Sequence, residues 1–175
     1  MTKVILYIAL SQDGFLADEN GCVDWLPNPD DKDESLKELQ DNHKKFMDSV
    51  SAIVMGRKSY EQTLSFGEWQ WKDKQTYVFT SQDLTSPHPY ITFVQDTPKE
   101  FMEKIKSNPS EGDIWLFGGA ALAKSFSDER LINEAILTIA PVELGKGLPL
   151  EIKHYFYMTH MKPFSGGWSQ TILIS

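Results

Sequence analysis

At 175 residues, the chain is long enough for one well-packed domain and too short for two comfortable ones, so a single domain over residues 1–175 is expected. A hydrophobic content of 41%, a charged content of 24% and a net charge of -8 describe a soluble globular protein; they disfavour a nucleic-acid binder but allow a local cationic pocket for a small anion. The single cysteine, Cys22, excludes an internal disulfide and a cysteine-cluster zinc site; no apolar run reaches membrane-spanning length and no signal-peptide pattern precedes the first strand, so a cytoplasmic protein without metal or membrane partner is expected.

Lys3 to Leu10 is a nearly continuous apolar run, the pattern of a strand buried on both faces of a sheet. Ser11 to Ala17 reads as the loop leaving it, with Asp13-Gly14 as the turn signal. Ligands in open α/β sheets sit beyond the carboxyl ends of strands, which makes this loop a candidate site wall. Asp13 is then either a site carboxylate or, more commonly for its type, a turn former bonded to its own backbone. Trp25-Leu26-Pro27 suits a loop packing over something flat. From Glu34 to Val50 the apolar residues Leu36, Leu39, Phe46, Met47 and Val50 keep helical spacing, with His43 on the same stripe. No partner gives His43 metal spacing, and it reads as a core-edge residue. Asp41 and Asp48 read as solvated.

Ala52 to Met55 is a short, β-branched, uncharged strand. Gly56 turns the chain, and Arg57, Lys58 and Ser59 follow at the first turn of a helix. A helix start offers free N–H groups and partial positive charge, so two cations and a hydroxyl there make a phosphate-holding place. The alternative is a strand-to-helix turn with solvated charges. Trp69 and Trp71 flank Gln70 in a loop, where packing is favoured over base stacking because no basic surround accompanies them. Gln75 to Thr80 is the next strand, ending in Thr80-Ser81-Gln82, small polar residues able to bond a sugar or phosphate or merely to cap the loop. Tyr90 to Val94 is a further strand. Thr97-Pro98-Lys99-Glu100 is a capping box opening a helix to about Ser107.

Asp113 to Phe117 is a strand followed by Gly118-Gly119-Ala120-Ala121-Leu122. Paired glycines and small side chains at a helix start let a ligand approach the backbone closely, and both strand–glycine–helix units are expected to face one end of the sheet. Ala135 to Ala140 is a strand, Pro141 to Pro149 a loop, and His154 to Met161 with Trp168 to Ile174 two closing strands paired antiparallel at the sheet edge. Their aromatics Tyr155, Phe156 and Tyr157 read either as a homodimer contact extending the edge or as ordinary edge packing.

Several of these segments, in order, resemble a known group. Ile53 to Glu61 is similar to the second-strand motif of dihydrofolate reductases, and Thr80-Ser81-Gln82 and Phe117-Gly118-Gly119-Ala120 resemble the later cofactor-contacting segments of that fold. Ala9 to Ala17 and Leu131 to Val142 are closer to the reductase domain of the bifunctional riboflavin-biosynthesis deaminase-reductase. The resemblance covers nearly the whole chain and implies a stand-alone member of that reductase group: a dihydrofolate-reductase-like α/β three-layer sandwich, with a mostly parallel central sheet and antiparallel carboxyl-terminal edge strands. It further implies NADPH across the carboxyl edge of the sheet. Gly56, Arg57, Lys58 and Ser59 would hold phosphate, Gly118 to Leu122 (through Gly119, Ala120 and Ala121) the pyrophosphate, and Thr80, Ser81 and Gln82 the adenosine ribose and its 2′-phosphate. Ala9 and Gly14 would line the nicotinamide, with a small heterocyclic substrate between it, Asp13, Trp25 and Phe46. The implied chemistry is hydride transfer to a polarised C=N or C=O carbon, with dihydrofolate reduction or non-catalytic NADPH binding as alternatives. Two departures bear on the substrate. Riboflavin-pathway reductases carry a glutamate where this chain has Phe117. The acid that dihydrofolate reductases place on their first helix falls near Gln40 and Asp41, which makes Asp41 the candidate for that role. The zinc-bearing deaminase partner has no counterpart in this chain.

Overall fold

The computed structural model describes residues 1–27, 33–108, 111–153 and 155–175. The apolar run near the amino terminus forms β1 (Val4–Leu10), with Val4, Ile5, Leu6 and Leu10 buried, as a strand covered on both faces requires. Phe15–Ala17, expected within a loop, is instead a short strand, β2; it pairs antiparallel with another short strand in the predicted 141–149 loop. The pairing brings two backbones into contact: a Cβ on Gly147 would fall 2.2 Å from the Ala17 carbonyl oxygen, so only glycine fits there. Such a two-residue contact has no hydrophobic alternation to announce it.

The predicted helix from Glu34 to Val50 divides. Glu34–Leu36 is a 3-10 turn capped by the Asp33 carboxylate, α1 spans Lys37–Ser49, and Val50 opens β3 (Val50–Gly56). The next elements are α2 (Arg57–Ser65), β4 (Gln75–Phe79), β5 (Ile91–Val94), α3 (Pro98–Ser107), β6 (Asp113–Gly118), α4 (Ala120–Asp128), β7 (Glu134–Ile139), β8 (Leu148–Pro149, the partner of β2), β9 (Tyr157–Pro163) and β10 (Ser169–Ile174). The capping box on α3 is formed in full: Thr97 Oγ1 accepts from the Glu100 N–H, and the Glu100 carboxylate accepts from the Thr97 N–H. His154, placed at the start of a closing strand from sequence, lies outside the described residues, and that strand begins at Tyr157 and continues to Pro163.

Apart from the β2–β8 pair, the other eight strands form one sheet in the order β5-β4-β3-β6-β1-β7-β10-β9. β1, β3, β4, β5, β6 and β7 run parallel, and β10 and β9 add antiparallel at one edge. This is the expected α/β architecture, with helices on both sheet faces. On one face, Phe101 and Met102 of α3 and Ala123 and Phe126 of α4 pack onto Val4, Leu6, Val54, Ile114 and Leu116. On the other, Tyr60 of α2 and Phe46 and Met47 of α1 pack onto Ile53, Met55, Val78 and Trp115. Phe126, fully buried, anchors α4; truncating such a side chain to alanine costs about 3–5 kcal/mol. Of the three aromatics expected at the edge, Tyr155 and Phe156 stack on each other at 4.3 Å and turn inward, while Tyr157 is exposed with Met158 and Met161.

Candidate functional site

Parallel strands bring their carboxyl ends to one edge of the sheet, and the β-sheet order decides which loops meet there. Across adjacent strands β4, β3, β6 and β1, those ends carry in turn Thr80-Ser81-Gln82, Gly56-Arg57-Lys58-Ser59, Gly118 to Leu122, and Ala9 with the Gly14 turn. Segments far apart in sequence thus fall in one line, spanning about 14 Å at ordinary strand spacing.

The two central helix starts are bare. Gly56 caps α2 and Gly119 caps α4, and neither helix receives a side-chain cap bond, whereas α3 is closed by its own Thr97 and Glu100. Uncapped first-turn N–H groups and the partial charge of the helix end suit an anion. The starts face each other: a Cβ built on Gly119 would sit 3.5 Å from Ser59 Oγ, and one on Gly56 3.9 Å from the Gly119 nitrogen. A side chain at either glycine would fill the space between them. Gly118, at φ +122°, adopts a conformation open to glycine, and its peptide bond to Gly119 is cis.

Arg57 donates from Nε to Glu61 at 2.7 Å, an i,i+4 surface pair, and its terminal nitrogens have no partner among the described residues. Lys58 is exposed and, among the described residues, has no ion-pair partner. Thr80 accepts the Gln82 N–H on Oγ1 and donates its own N–H to Val94, which shapes the short polar turn; Ser81 and Gln82 are exposed. Ala120 and Ala121 leave the outer surface of the α4 start low, and Leu122 turns into the core.

Below this edge, on the α1 face, lies a cluster of aromatic residues. Tyr7 meets Phe46 at 4.8 Å and His43 at 5.2 Å; Trp115 meets His43, Phe46 and Phe117; Trp71 closes on Trp115 and Phe117. Phe117, where the resemblance leads one to look for a glutamate, is therefore part of an apolar wall. Burial pushes the His43 imidazole below its ordinary value, which keeps it neutral near pH 7. The indole N–H of Trp25 is buried without a hydrogen-bond partner among the described residues.

The two candidate carboxylates occupy different surroundings. Asp13 accepts from Ser11 Oγ at 2.6 Å and from the N–H groups of Leu144 and Gly145, so it clamps the turn after β1 to the loop before β8. The Ser11 bond foremost, aided by those N–H groups, holds its carboxyl below the usual range against a smaller opposing effect of desolvation. Asp41 is exposed. It precedes His43 by two positions, about 200° around the helix, and His43, Phe46 and Met47 pack toward the sheet, so Asp41 points away from it.

A buried polar group was not foreseen from sequence. Gln170 of β10 donates from Nε2 to Tyr7 Oη of β1 at 2.9 Å and to Thr138 Oγ1 of β7 at 3.0 Å. Strand pairing puts Thr138 beside both Ala9 and Gln170, which brings the three residues onto the α1 face. Each looks like an ordinary strand residue in isolation.

Comparison with known proteins identifies relatives of the chain and of its fold. Residues 2–154 match the model of the RibD C-terminal domain. Two Bacillus subtilis proteins of uncharacterized function are similar in sequence: YwjB, 35% identical over 149 residues (85% of this chain and 82% of that protein), and YyaP, 33% identical over 189 residues (97% and 93%). Among solved structures, a protein from Shewanella sp. PV-4 named for riboflavin biosynthesis is 26% identical with a TM-score of 0.78, covering 99% of this chain and 98% of that one. The Thermotoga maritima diaminohydroxyphosphoribosylaminopyrimidine deaminase/5-amino-6-(5-phosphoribosylamino)uracil reductase follows the same fold at 14% identity and a TM-score of 0.73; 99% of this chain matches 56% of that one. Enterococcus faecalis dihydrofolate reductase, solved with NADP(H), does so at 13% identity and a TM-score of 0.70, with coverage of 98% and 95%.

Proposed function

Because the chain belongs to the RibD C-terminal domain family, we propose that it is an NADPH-dependent reductase acting on a small nitrogen heterocycle or its ribosyl derivative. The observation that carries this reading is the order of the strand ends: a polar turn at β4, two bare helix starts at β3 and β6, and small residues at the end of β1. That sequence of surroundings matches the adenosine, pyrophosphate and nicotinamide parts of one extended dinucleotide. When bound, NADPH supplies the hydride; the rest of the work falls to the chain.

The α2 and α4 starts would hold the pyrophosphate through backbone N–H groups, with Arg57, Lys58 and Ser59 adding charge and a hydroxyl. Thr80, Ser81 and Gln82 would face the ribose 2′-phosphate. Ala9 and Gly14 leave room for a flat ring at the end of the central strand, and the substrate would lie on the α1 face between Trp25 and Phe46. The aromatic floor excludes water there and fixes the ring plane, so orientation is the protein's main contribution. Phe117 argues against the riboflavin-pathway substrate itself, since an apolar ring cannot take over a carboxylate's contacts. The outward Asp41 argues against dihydrofolate.

Thermal shift and cofactor fluorescence with NADPH, and NADH as control, test the proposal. Stabilisation by NADPH at least tenfold more sensitive in concentration than by NADH is expected, followed by NADPH oxidation in a heterocycle screen. No binding of either cofactor at millimolar concentration would end the reductase reading; tight binding without turnover across the screen would leave a non-catalytic NADPH-binding protein.

A further inference from the structure

We propose that the Tyr7 hydroxyl, oriented by Gln170 and Thr138, is the donor that reads the polar edge of the substrate, and that it selects an uncharged ring presenting a hydrogen-bond acceptor there. This assignment rests on the reductase reading above, which supplies the position of the cleft.

Gln170 Nε2 donates to Tyr7 Oη and to Thr138 Oγ1, and Gln170 and Thr138 are both 8% exposed. The Thr138 hydroxyl also lies close enough to hydrogen-bond the phenol oxygen. The Gln170 bond takes one lone pair of the phenol oxygen, and the phenol proton is left for the Thr138 oxygen beside it or for an acceptor in the site. Among the described residues, the one hydrogen bond of normal length at Tyr7 Oη is the one it accepts from Gln170. Burial raises the phenol above its ordinary value despite those bonds, so Tyr7 remains a neutral donor.

The setting specifies what the acceptor belongs to. Tyr7 sits on β1, one side-chain position before Ala9, whose single methyl lies beside Thr138. Its ring is fixed by Phe46 at 4.8 Å and by His43 edge-on at 5.2 Å, and His43 is itself kept neutral by burial. The aromatic wall of Trp115, Phe117 and Trp71 offers a ring its faces but little for its polar edge to bond. No carboxylate among the described residues bonds any member of the Tyr7, Thr138 and Gln170 group. A protonated, amidinium-like ring would bury its charge beside donors, which is unfavourable without a counter-ion. An oxo group or unprotonated ring nitrogen would complete the Tyr7 bond. Buried donors left unpaired penalise the wrong ligand more than methylene-sized differences do.

A matched pair of pteridines tests this with the NADPH-loaded protein: 2,4-dioxopteridine presents carbonyl acceptors, and 2,4-diaminopteridine presents amino groups and protonates readily. Wild type should bind the dioxo compound at least tenfold more tightly. Tyr7→Phe should lose about tenfold for the dioxo compound while affinities for the diamino compound and NADPH stay within twofold, so the preference itself collapses. Gln170→Met, which frees the phenol to turn, should give part of the same loss. A Tyr7→Phe change that weakens both pteridines equally, or neither, would overturn the assignment, as would a wild-type preference for the diamino compound. Wild type that binds neither pteridine but does bind NADPH would also overturn it. Wild type unable to bind NADPH would bring down the reductase reading first, and this inference with it.

Discussion

At the residue scale, the same side-chain type does different work according to what surrounds it. Asp13 and Asp41 are both exposed carboxylates in sequence-suggestive places, yet Asp13 gathers three hydrogen bonds and Asp41 stands on the outer side of α1. The Asp13 bonds favour its ionised form in the folded protein. Its folded value lies below the ordinary 3.8, so its contribution to stability is complete above that value and fades as pH falls through the lower folded one. Asp13→Asn should therefore lower the melting temperature at neutral pH, with the gap to wild type closing in acid; unfolding curves across pH measure this. A gap that stays constant into strong acid would mean the charge contributes nothing. Because Asp13 also holds the wall of the candidate cleft, Asp13→Ala should reduce turnover of any substrate identified; unchanged turnover would remove Asp13 from the site. The turn chemistry of Asp13-Gly14 was readable in the sequence. Its long-range partners at Leu144 and Gly145 were not, because they lie more than 130 positions away.

At the scale of elements, the two strand–glycine–helix units leave their helix starts open, whereas α3 is closed by its own capping box. Gly119 separates these roles. Its φ of -76° is open to any residue, and an added Cβ would meet Ser59 Oγ at an ordinary 3.5 Å. Gly119→Ala should consequently fold with a melting temperature near that of wild type, yet place a methyl between the two helix starts. NADPH affinity should fall at least tenfold by titration; undiminished affinity would show that phosphate does not lie there. The capping box at Thr97, the glycine turns and the buried strands could all be recognised beforehand, since each depends on residues within one or two turns of chain. The short β2–β8 pairing could not, because two or three residues in a loop carry no period.

At the scale of the whole molecule, the sheet is unequal from centre to edge. β1, β3 and β6 are covered on both faces, while every residue of β9 is exposed, including Tyr157, Met158 and Met161. Hydrogen exchange should find the amides of β1, β3 and β6 slowest and those of β9 among the fastest of the strands, since local opening costs least where little is buried. Protection of β9 equal to that of β6 would indicate that something covers that edge in solution. The family match ends at residue 154, but β10 pairs along all of β7 and its Gln170 bonds Tyr7 of β1, so the last hairpin is integral to the sheet. The sequence by itself determined the types of the long strands and helices, the two phosphate-suited helix starts and the family resemblance, because strand burial, helix capping and glycine turns are local and leave local marks. Only the tertiary structure decided that β6 returns between β3 and β1, that the bare helix starts face each other, and that Tyr7, Thr138 and Gln170 meet, the first and last of them 163 positions apart. Those arrangements depend on long-range strand pairing, in which each strand's pattern allows several neighbours and the packing of both faces selects one.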